Sequence, residues 1–435
     1  MTTRTLARGA LSHLAARTAS VGLGLLVLVA VARQGPQVQG AFSLLVATEA
    51  LFAALLSGIG LAGARQVSHH REDASRWLGA ALLLAFLCGA AGGVAFWAAG
   101  AGWFAGDASY AFLPLLAVAA PWLVLIPTVS GLCLGLGWMT PINLLTLGPP
   151  VLTLAGLGCA RAAGIAWDAM TVMSIWLAAR AAVGVAGAGW AWWHFGARAP
   201  VWSAWRPLAG FCTVVGLTNL VSWLNYRADL FIVERYTGLA SAGVYSVAVS
   251  VAELLWFLSS SVTAAAYGRL GASQREEAIA LAVRLMHLNL VVLLAAAPVL
   301  ALLAAWALPA WLGADYRQAV PLLLVLLPGV WAYACASTLS AYYTNGLGRP
   351  QWAAGVAGFS LAVNVATCLW LVPRLGALGA ALATSLSYLL AIAWGLWRFQ
   401  AQTGWPWRRL LWPDWARLGQ DLWRSGTGLS GPAAR

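Results

Sequence analysis

The sequence predicts an all-α membrane protein with about twelve transmembrane helices. Hydrophobic residues make up 61% of the 435 residues and charged residues only 9%, with a mean hydropathy of +0.79. A helix that crosses a bilayer needs about 20 mostly apolar residues. Runs of this length follow one another along most of the chain, and no stretch is long and polar enough to form a separate soluble domain.

Twelve apolar runs meet this length criterion. The start of the chain also has the charged head and apolar run of a signal peptide. Because Arg17 interrupts that run and the next apolar segment follows at once, we interpret it as a retained first helix. The predicted spans are roughly residues 9–32, 40–63, 77–100, 109–135, 141–161, 169–194, 208–233, 241–266, 279–307, 318–343, 352–372 and 377–398.

The distribution of arginine predicts the orientation of the spans. Sixteen arginines fall on one side of the predicted spans and five on the other. Short cytoplasmic loops are enriched in basic residues, and the arginine-rich side holds both termini and the loops at 64–76 and 267–278. Both termini are therefore predicted to be cytoplasmic. The net charge of +12 serves here as a topology signal, so nucleic acid is not an expected partner.

Several charged residues lie within the predicted spans. Arg227 and Asp229 share one span, and Glu253 lies in the next span, after a short polar turn. Arg17 and Glu49 form a weaker copy of this arrangement near the start of the chain. A charge at membrane depth is costly, and it usually faces a water-filled path or a charged partner. We therefore expect two related helix bundles around a polar path.

The seventh span has a polar face. Helical spacing places Asn219, Tyr226 and Asp229 on one side of it. One interpretation is a substrate site formed by Asn219, Tyr226 and Arg227, with Asp229 coupling transport to an ion. The alternative is a structural role, in which Arg227 pairs with Glu253 of the next span.

The two halves of the chain share landmarks in the same order, and each half has six predicted spans. Equal numbers of spans give the two copies the same orientation, so the pattern predicts a parallel repeat of the kind that builds many transporters. We expect an N-terminal lobe at 1–200, a C-terminal lobe at 201–400, and an amphipathic Trp- and Arg-rich cytoplasmic tail at 401–435. The matched pairs are Gly40 with Gly243, Glu49 with Glu253, Arg65 with Arg269, and Gly164 with Gly376.

Four motifs resemble polysaccharide-repeat (Wzx-like) flippases of the multidrug/oligosaccharidyl-lipid/polysaccharide exporter (MOP) superfamily. They are VARQGPQVQGAFSLL, GIGLAGARQVS, RADLFIVERYTGLASAGVYSVAVSVAELL and NGLGRPQWAAGVAGFSLAVNVATCLWLVPRLGALGAALATSLSYLL. The resemblance spans roughly residues 20 to 395. It implies two helical lobes around a V-shaped central cavity, and alternating access without ATP. Some members of the family have fourteen spans, whereas this sequence predicts twelve.

The resemblance also implies a substrate and a location. The substrate is an undecaprenyl-pyrophosphate-linked oligosaccharide, moved to the outer leaflet of a bacterial inner membrane. Membrane lipids and glycan polymerase or assembly proteins are the implied partners. An arginine offers a permanently charged fork of donors that matches phosphate oxygens. Arg17 is the leading candidate for the pyrophosphate contact, with an ion pair to Glu49 or Glu253 as its alternative. Arg180 is the second candidate, and the acidic residues Glu49 and Glu253 join Asp229 as candidate ion carriers.

Other classes of function are disfavoured. The sequence has no nucleophile elbow and no P-loop, and its outer loops are short, which argues against a glycan polymerase or ligase. A drug or metabolite antiporter of the MATE type is the closer alternative, although the first span carries Arg17 and no acidic residue. The cysteines form no CxxC pair, and the His69-His70 pair lacks the further ligands of a zinc site. We predict no cofactor, no metal and no enzymatic activity.

Overall fold

The computed structural model describes residues 3–69, 74–103, 108–196, 202–272, 274–347 and 349–413, and these contain no β-strand. The predicted all-α fold is confirmed. The helices are α1 (Thr3–Ala32), α2 (Pro36–His69), α3 (Ala74–Trp103), α4 (Leu113–Leu123), α5 (Leu125–Leu136), α6 (Met139–Ala162), α7 (Ala169–Phe195), α8 (Trp202–Ala252), α9 (Leu254–Ala272), α10 (Arg275–Leu312), α11 (Ala319–Cys335), α12 (Ser337–Ala341), α13 (Pro350–Leu375), α14 (Ala377–Thr403) and α15 (Trp407–Leu411).

Eleven helical stretches of the described residues are long and apolar enough to cross a membrane. One of them, Ala209–Thr263, has 55 residues, or about 80 Å at the helical rise per residue, which is enough for two crossings. Gly238 interrupts this stretch with φ of 81°, a backbone angle that glycine adopts without steric cost. The stretch therefore holds the seventh and eighth spans, and the prediction of about twelve spans is confirmed.

The fourth span is divided into two short helices, α4 and α5, which meet at Val124. Pro127 lies one turn after this junction and has no backbone N–H to continue the hydrogen-bond ladder. The interruption therefore follows from the sequence.

The chain divides into two compact units. Unit 1 comprises Met1–Val247 with Pro309–Arg317, and unit 2 comprises Ala248–Leu308 with Gln318–Arg435. The predicted lobe boundary at residue 200 differs from this division, because the first part of α8 packs tightly on α2 in unit 1. A Cβ atom on Gly216 would lie 2.3 Å from the carbonyl oxygen of Leu55. The end of α10 contacts unit 1 through a 2.7 Å hydrogen bond from Arg33 Nε to the carbonyl oxygen of Trp311.

In unit 2, α15 docks against the helices that precede it. Leu410 is fully buried in a core that includes Tyr342 and Phe399. A ring nitrogen of His287 in α10 lies 2.9 Å from the carbonyl oxygen of Leu410. The predicted amphipathic tail can be compared with the structure only as far as residue 413, because residues 414–435 lie outside the described part of the chain.

The parallel repeat is confirmed, and it is visible in the turns between spans. Gly35 and Gly238, which lie 203 positions apart, both have positive φ, at 109° and 81°. The predicted pair Gly164 and Gly376 also has positive φ at both members, 73° and 61°. Corresponding turns of the two halves therefore both contain glycines with positive φ.

Candidate transport site

A buried carboxylate and an arginine meet in unit 1. Glu49 of α2 forms an ion pair with Nε of Arg180 in α7. Its other oxygen, Oε2, accepts a 2.7 Å hydrogen bond from Nε1 of Trp176. The guanidinium carbon of Arg180 lies 5.0 Å from the centre of the Trp176 ring, and the Phe42 ring packs edge-on to that ring at 5.1 Å. We call these four residues the Arg180 cluster.

The start of α7 fixes the register of this cluster. Asp168 caps the helix, since its carboxylate accepts a 2.7 Å hydrogen bond from the backbone N–H of Thr171. That hydrogen bond lowers the pKa of Asp168 below its usual value. Trp176 and Arg180 follow on one face, four residues apart, which is the spacing at which helical side chains meet.

The two members of the ion pair are unequally exposed. The side chain of Glu49 is 4% exposed, whereas that of Arg180 is 28% exposed. Arg180 lies about three turns into α7, whose 27 residues span about 40 Å, so it is close to the middle of a bilayer. A charge at that depth needs water or a partner. Glu49 is that partner, and part of the Arg180 side chain remains accessible beside the ion pair.

A second buried carboxylate lies in α8. Asp229 accepts a 2.5 Å hydrogen bond at Oδ2 from the hydroxyl of Tyr245 and a 2.8 Å bond at Oδ1 from the N–H of Leu230. Tyr245 belongs to the part of α8 that follows the break at Gly238. The bond therefore joins the seventh span to the eighth, and both side chains are buried.

Helices α2 and α8 cross at glycines that the repeat relates. A Cβ atom on Gly40 would lie 2.0 Å from the carbonyl oxygen of Leu239, and one on Gly243 would lie 2.0 Å from the carbonyl oxygen of Pro36. Only glycine fits at either position, because each opposing atom belongs to the backbone of the other helix. Such close approach of small residues is a common way to pack helices within a membrane.

A pair of serines continues this crossing. Ser43 Oγ donates a 2.8 Å hydrogen bond to Ser246 Oγ, and the two residues are 203 positions apart. Gly40 and Gly243 also lie 203 positions apart, and a Cβ atom on either would approach the backbone nitrogen of the other. Gln39 Nε2 donates a 3.0 Å bond to Ser43 Oγ and extends the polar chain. We call Gly40, Ser43, Gly243 and Ser246 the axial crossing.

Arg17 lies on α1 with its side chain exposed. The alternative from sequence pairs it with Glu49 or Glu253, whereas in the structure the partners of Glu49 are Arg180 and Trp176. Arg180, the weaker candidate from sequence, is therefore the arginine that the fold brings to a buried carboxylate.

The polar face predicted on the seventh span is divided among several partners. Asn219 donates a 2.9 Å hydrogen bond to Ser57 of α2, whereas Asp229 turns to Tyr245. Tyr226 and Arg227 are half-buried on the same helix. In unit 2, Glu253 lies at the junction between α8 and α9 and is half-buried.

Sequence reasoning missed three aromatic partners of the carboxylates. Trp176 was foreseeable from its spacing of four residues from Arg180. Tyr245 binds Asp229 across a turn, and Tyr110 donates a 2.8 Å hydrogen bond to the buried Glu234. These two contacts depend on how separate helices pack, and no spacing in the sequence predicts them.

The described residues contain neither a disulfide nor a cluster of metal-ligating side chains. All six cysteines are free. Within the described residues, no group of three or more His, Cys, Asp or Glu side chains is placed to hold a metal ion.

Comparison with known proteins finds one matching family and several similar structures. Residues 154–321 match a protein family described as polysaccharide biosynthesis protein. The solved structure of lipid II flippase MurJ in its inward closed conformation is similar, with a TM-score of 0.76 and 14% identity, over 98% of this chain and 93% of that one. An inward-facing multidrug resistance MATE family transporter of the MOP superfamily gives a TM-score of 0.70 and 18% identity, over 90% and 98%. This chain has the MOP superfamily fold.

A third structure of this superfamily extends the comparison. A MOP superfamily transporter from Pyrococcus furiosus, reported with a binding pocket of reverse polarity, gives a TM-score of 0.57 and 18% identity, over 91% of this chain and 95% of that one. A search of curated proteins finds no significant match. The resemblance to polysaccharide flippases of the MOP superfamily, drawn from the sequence motifs, is confirmed by the family match and the shared fold.

Proposed function

We propose that this MOP-type transporter is a flippase for undecaprenyl-pyrophosphate-linked oligosaccharide repeat units. The observation that carries the proposal is the Arg180 cluster, a cation near mid-membrane depth with part of its donor fork exposed. A pyrophosphate is a dense anion, and arginine binds phosphate oxygens through paired hydrogen bonds. The match to polysaccharide biosynthesis proteins covers residues 154–321, which include Trp176 and Arg180.

The other residues of the proposed substrate path have distinct roles. Arg17 is exposed on α1 and is the proposed second contact for the pyrophosphate. Arg227, Tyr226 and Asn219 line the seventh span, where hydroxyl and amide groups suit sugar hydroxyls. We propose that these four residues, with Arg180, form successive contacts along unit 1.

The source of energy is a separate proposal. The sequence holds no P-loop, so transport draws on an ion gradient or on consumption of the product. Asp229 is the first proposed ion carrier, because its buried carboxylate links two spans through Tyr245. Glu253 in unit 2 and Glu49 are the alternatives. Protein partners are proposed to be the polymerase and assembly proteins that consume the lipid-linked product.

The proposed location is a bacterial inner membrane, with both termini in the cytoplasm. The support is the sequence asymmetry in arginine, which is typical of cytoplasmic loops. In this orientation the substrate enters from the leaflet where lipid-linked sugars are assembled. It leaves on the outer side.

Deletion of the gene tests this function in cells. We expect lipid-linked oligosaccharide to accumulate in the deletion strain. The wild-type protein should restore surface glycan, whereas Arg180→Gln should not. Arg374→Gln is the matched control, because Arg374 also lies one turn after a tryptophan, with its guanidinium carbon 5.1 Å from the Trp370 ring, but at a helix end. Unchanged lipid-linked intermediates, together with loss of resistance to a cationic drug, would instead support a drug antiporter.

A further inference from the structure

We propose that Glu49 is an internal substitute for the substrate anion. Glu49 forms an ion pair with Arg180 while the site is empty and releases it when a pyrophosphate binds. The inference rests on the proposed function and adds the event that opens and restores the binding site. Its basis is that Arg180 meets a buried carboxylate at one nitrogen while part of its side chain stays exposed.

Only part of the Arg180 guanidinium has a hydrogen-bonding partner in the structure. Glu49 contacts Arg180 at Nε. Among the described residues, nothing accepts a hydrogen bond from the two Nη groups, and 28% of the side chain remains exposed. A pyrophosphate can therefore bind the Nη groups before Glu49 leaves. The exchange proceeds through a three-group contact and does not require a bare cation at membrane depth.

Trp176 determines what happens to Glu49 after the exchange. Its Nε1–H bonds the Oε2 atom of Glu49, which is not the oxygen that faces Arg180. That hydrogen bond can persist when the ion pair separates. The indole ring also lies beside the guanidinium, so Trp176 contacts both groups in either state.

The displaced carboxylate makes binding reversible. A buried charge that has lost its counter-charge is costly, and the Trp176 hydrogen bond compensates only part of that cost. The cost is subtracted from the affinity of the pyrophosphate for Arg180. Transport needs a site that binds firmly enough to load but weakly enough to release, and return of Glu49 to Arg180 supplies the release.

Glu49→Gln separates this role from simple positioning. The amide keeps the shape of the side chain but does not compete with an anion for Arg180. We expect the full-length variant in detergent to bind farnesyl pyrophosphate about tenfold more tightly than wild type, a change of the size expected for one charged contact. In liposomes, the same variant should release substrate more slowly and flip it more slowly. Farnesol, which lacks the pyrophosphate, is the control ligand and should bind both proteins equally.

A second variant serves if Glu49→Gln does not fold. Trp176→Phe removes the N–H donor but keeps an aromatic ring beside Arg180, so the displaced carboxylate loses its remaining partner. The single variant Trp176→Phe should bind farnesyl pyrophosphate several-fold more weakly than the wild type does. Combined with Glu49→Gln, the same change should have little effect.

Two results would overturn the inference. One is a folded Glu49→Gln protein that binds farnesyl pyrophosphate no more tightly than wild type, which would make Glu49 a residue that only positions Arg180. The other is a Trp176→Phe change that fails to weaken binding in the wild-type background, or that weakens it equally with and without Glu49. Failure of the proposed function looks different: Arg180→Gln would then bind the probe as wild type does.

Discussion

At the scale of single residues, the charged groups of the spans fall into two kinds. Glu49, Arg180 and Asp229 are held by specific partners within unit 1, whereas Arg17 is exposed on α1. A held group can change partners during transport. An exposed group is ready to meet an incoming anion, and the two kinds therefore predict different mutational effects.

Arg17 tests the second kind. Charge-assisted hydrogen bonds are worth about 1.5–3 kcal/mol, so Arg17→Ala should abolish surface glycan at a normal protein level. Arg17→Lys keeps the charge but loses the fork of donors, and it should be partly active. Expression should be unaffected, because Glu49 keeps Arg180 as its partner. Full glycan from Arg17→Ala would remove this residue from the site.

Asp229 tests ion coupling. Asp229→Asn keeps the size of the side chain and a hydrogen-bond partner for Tyr245, but it cannot carry a proton or bind a cation by charge. We expect normal insertion and loss of most transport, with little further loss when an uncoupler collapses the gradient. Transport of labelled lipid-linked oligosaccharide in vesicles, with and without the uncoupler, measures both effects. Wild-type rates that still respond to the uncoupler would make Asp229 a structural residue.

At the scale of helices, the axial crossing is the contact most sensitive to added volume. Gly243→Ala places a methyl group against the carbonyl oxygen of Pro36, and overpacking of this kind costs about 1–3 kcal/mol. The variant should therefore unfold at a lower temperature than the wild type in detergent, as measured by tryptophan fluorescence.

Gly24→Ala is the control for that measurement. Gly24 lies in the membrane helix α1, and a Cβ atom there would meet nothing within 4 Å. This change should leave the unfolding temperature unaltered or slightly raised, since alanine favours helix. Equal losses at Gly24 and Gly243 would show that the crossing is not tightly packed.

Helices were more predictable from sequence than their contacts. The spans follow from local hydropathy, and the repeat follows from glycines at matched turns, because both signals lie within short stretches. The pairing of Glu49 with Arg180 depends on the packing of α2 against α7. The two residues lie about 130 positions apart in the chain. Sequence spacing does not specify such a pair, so on sequence grounds Arg17 is considered as a partner of Glu49 and Arg180 only as a second pyrophosphate contact.

At the scale of the whole molecule, the twelve spans and the arginine asymmetry predict one topology. Reporter fusions after His70 and after Gly313 should lie on opposite sides of the membrane, inside and outside respectively. A cytoplasmic reporter at the first position and a periplasmic one at the second would agree with cytoplasmic termini. Reporters on the same side would mean that the number of crossings between them is wrong.

The central claim is that Arg180 handles the anion of a lipid-linked oligosaccharide during flipping. The direct measurement is the appearance of a labelled undecaprenyl-pyrophosphate oligosaccharide on the far side of liposomes that contain the purified full chain. We predict flipping by wild type and by Arg374→Gln, and a loss of at least about tenfold for folded Arg180→Gln, the effect of one charge-assisted contact. Flipping by Arg180→Gln at the wild-type rate, or no flipping by wild type under an imposed ion gradient, would contradict the claim.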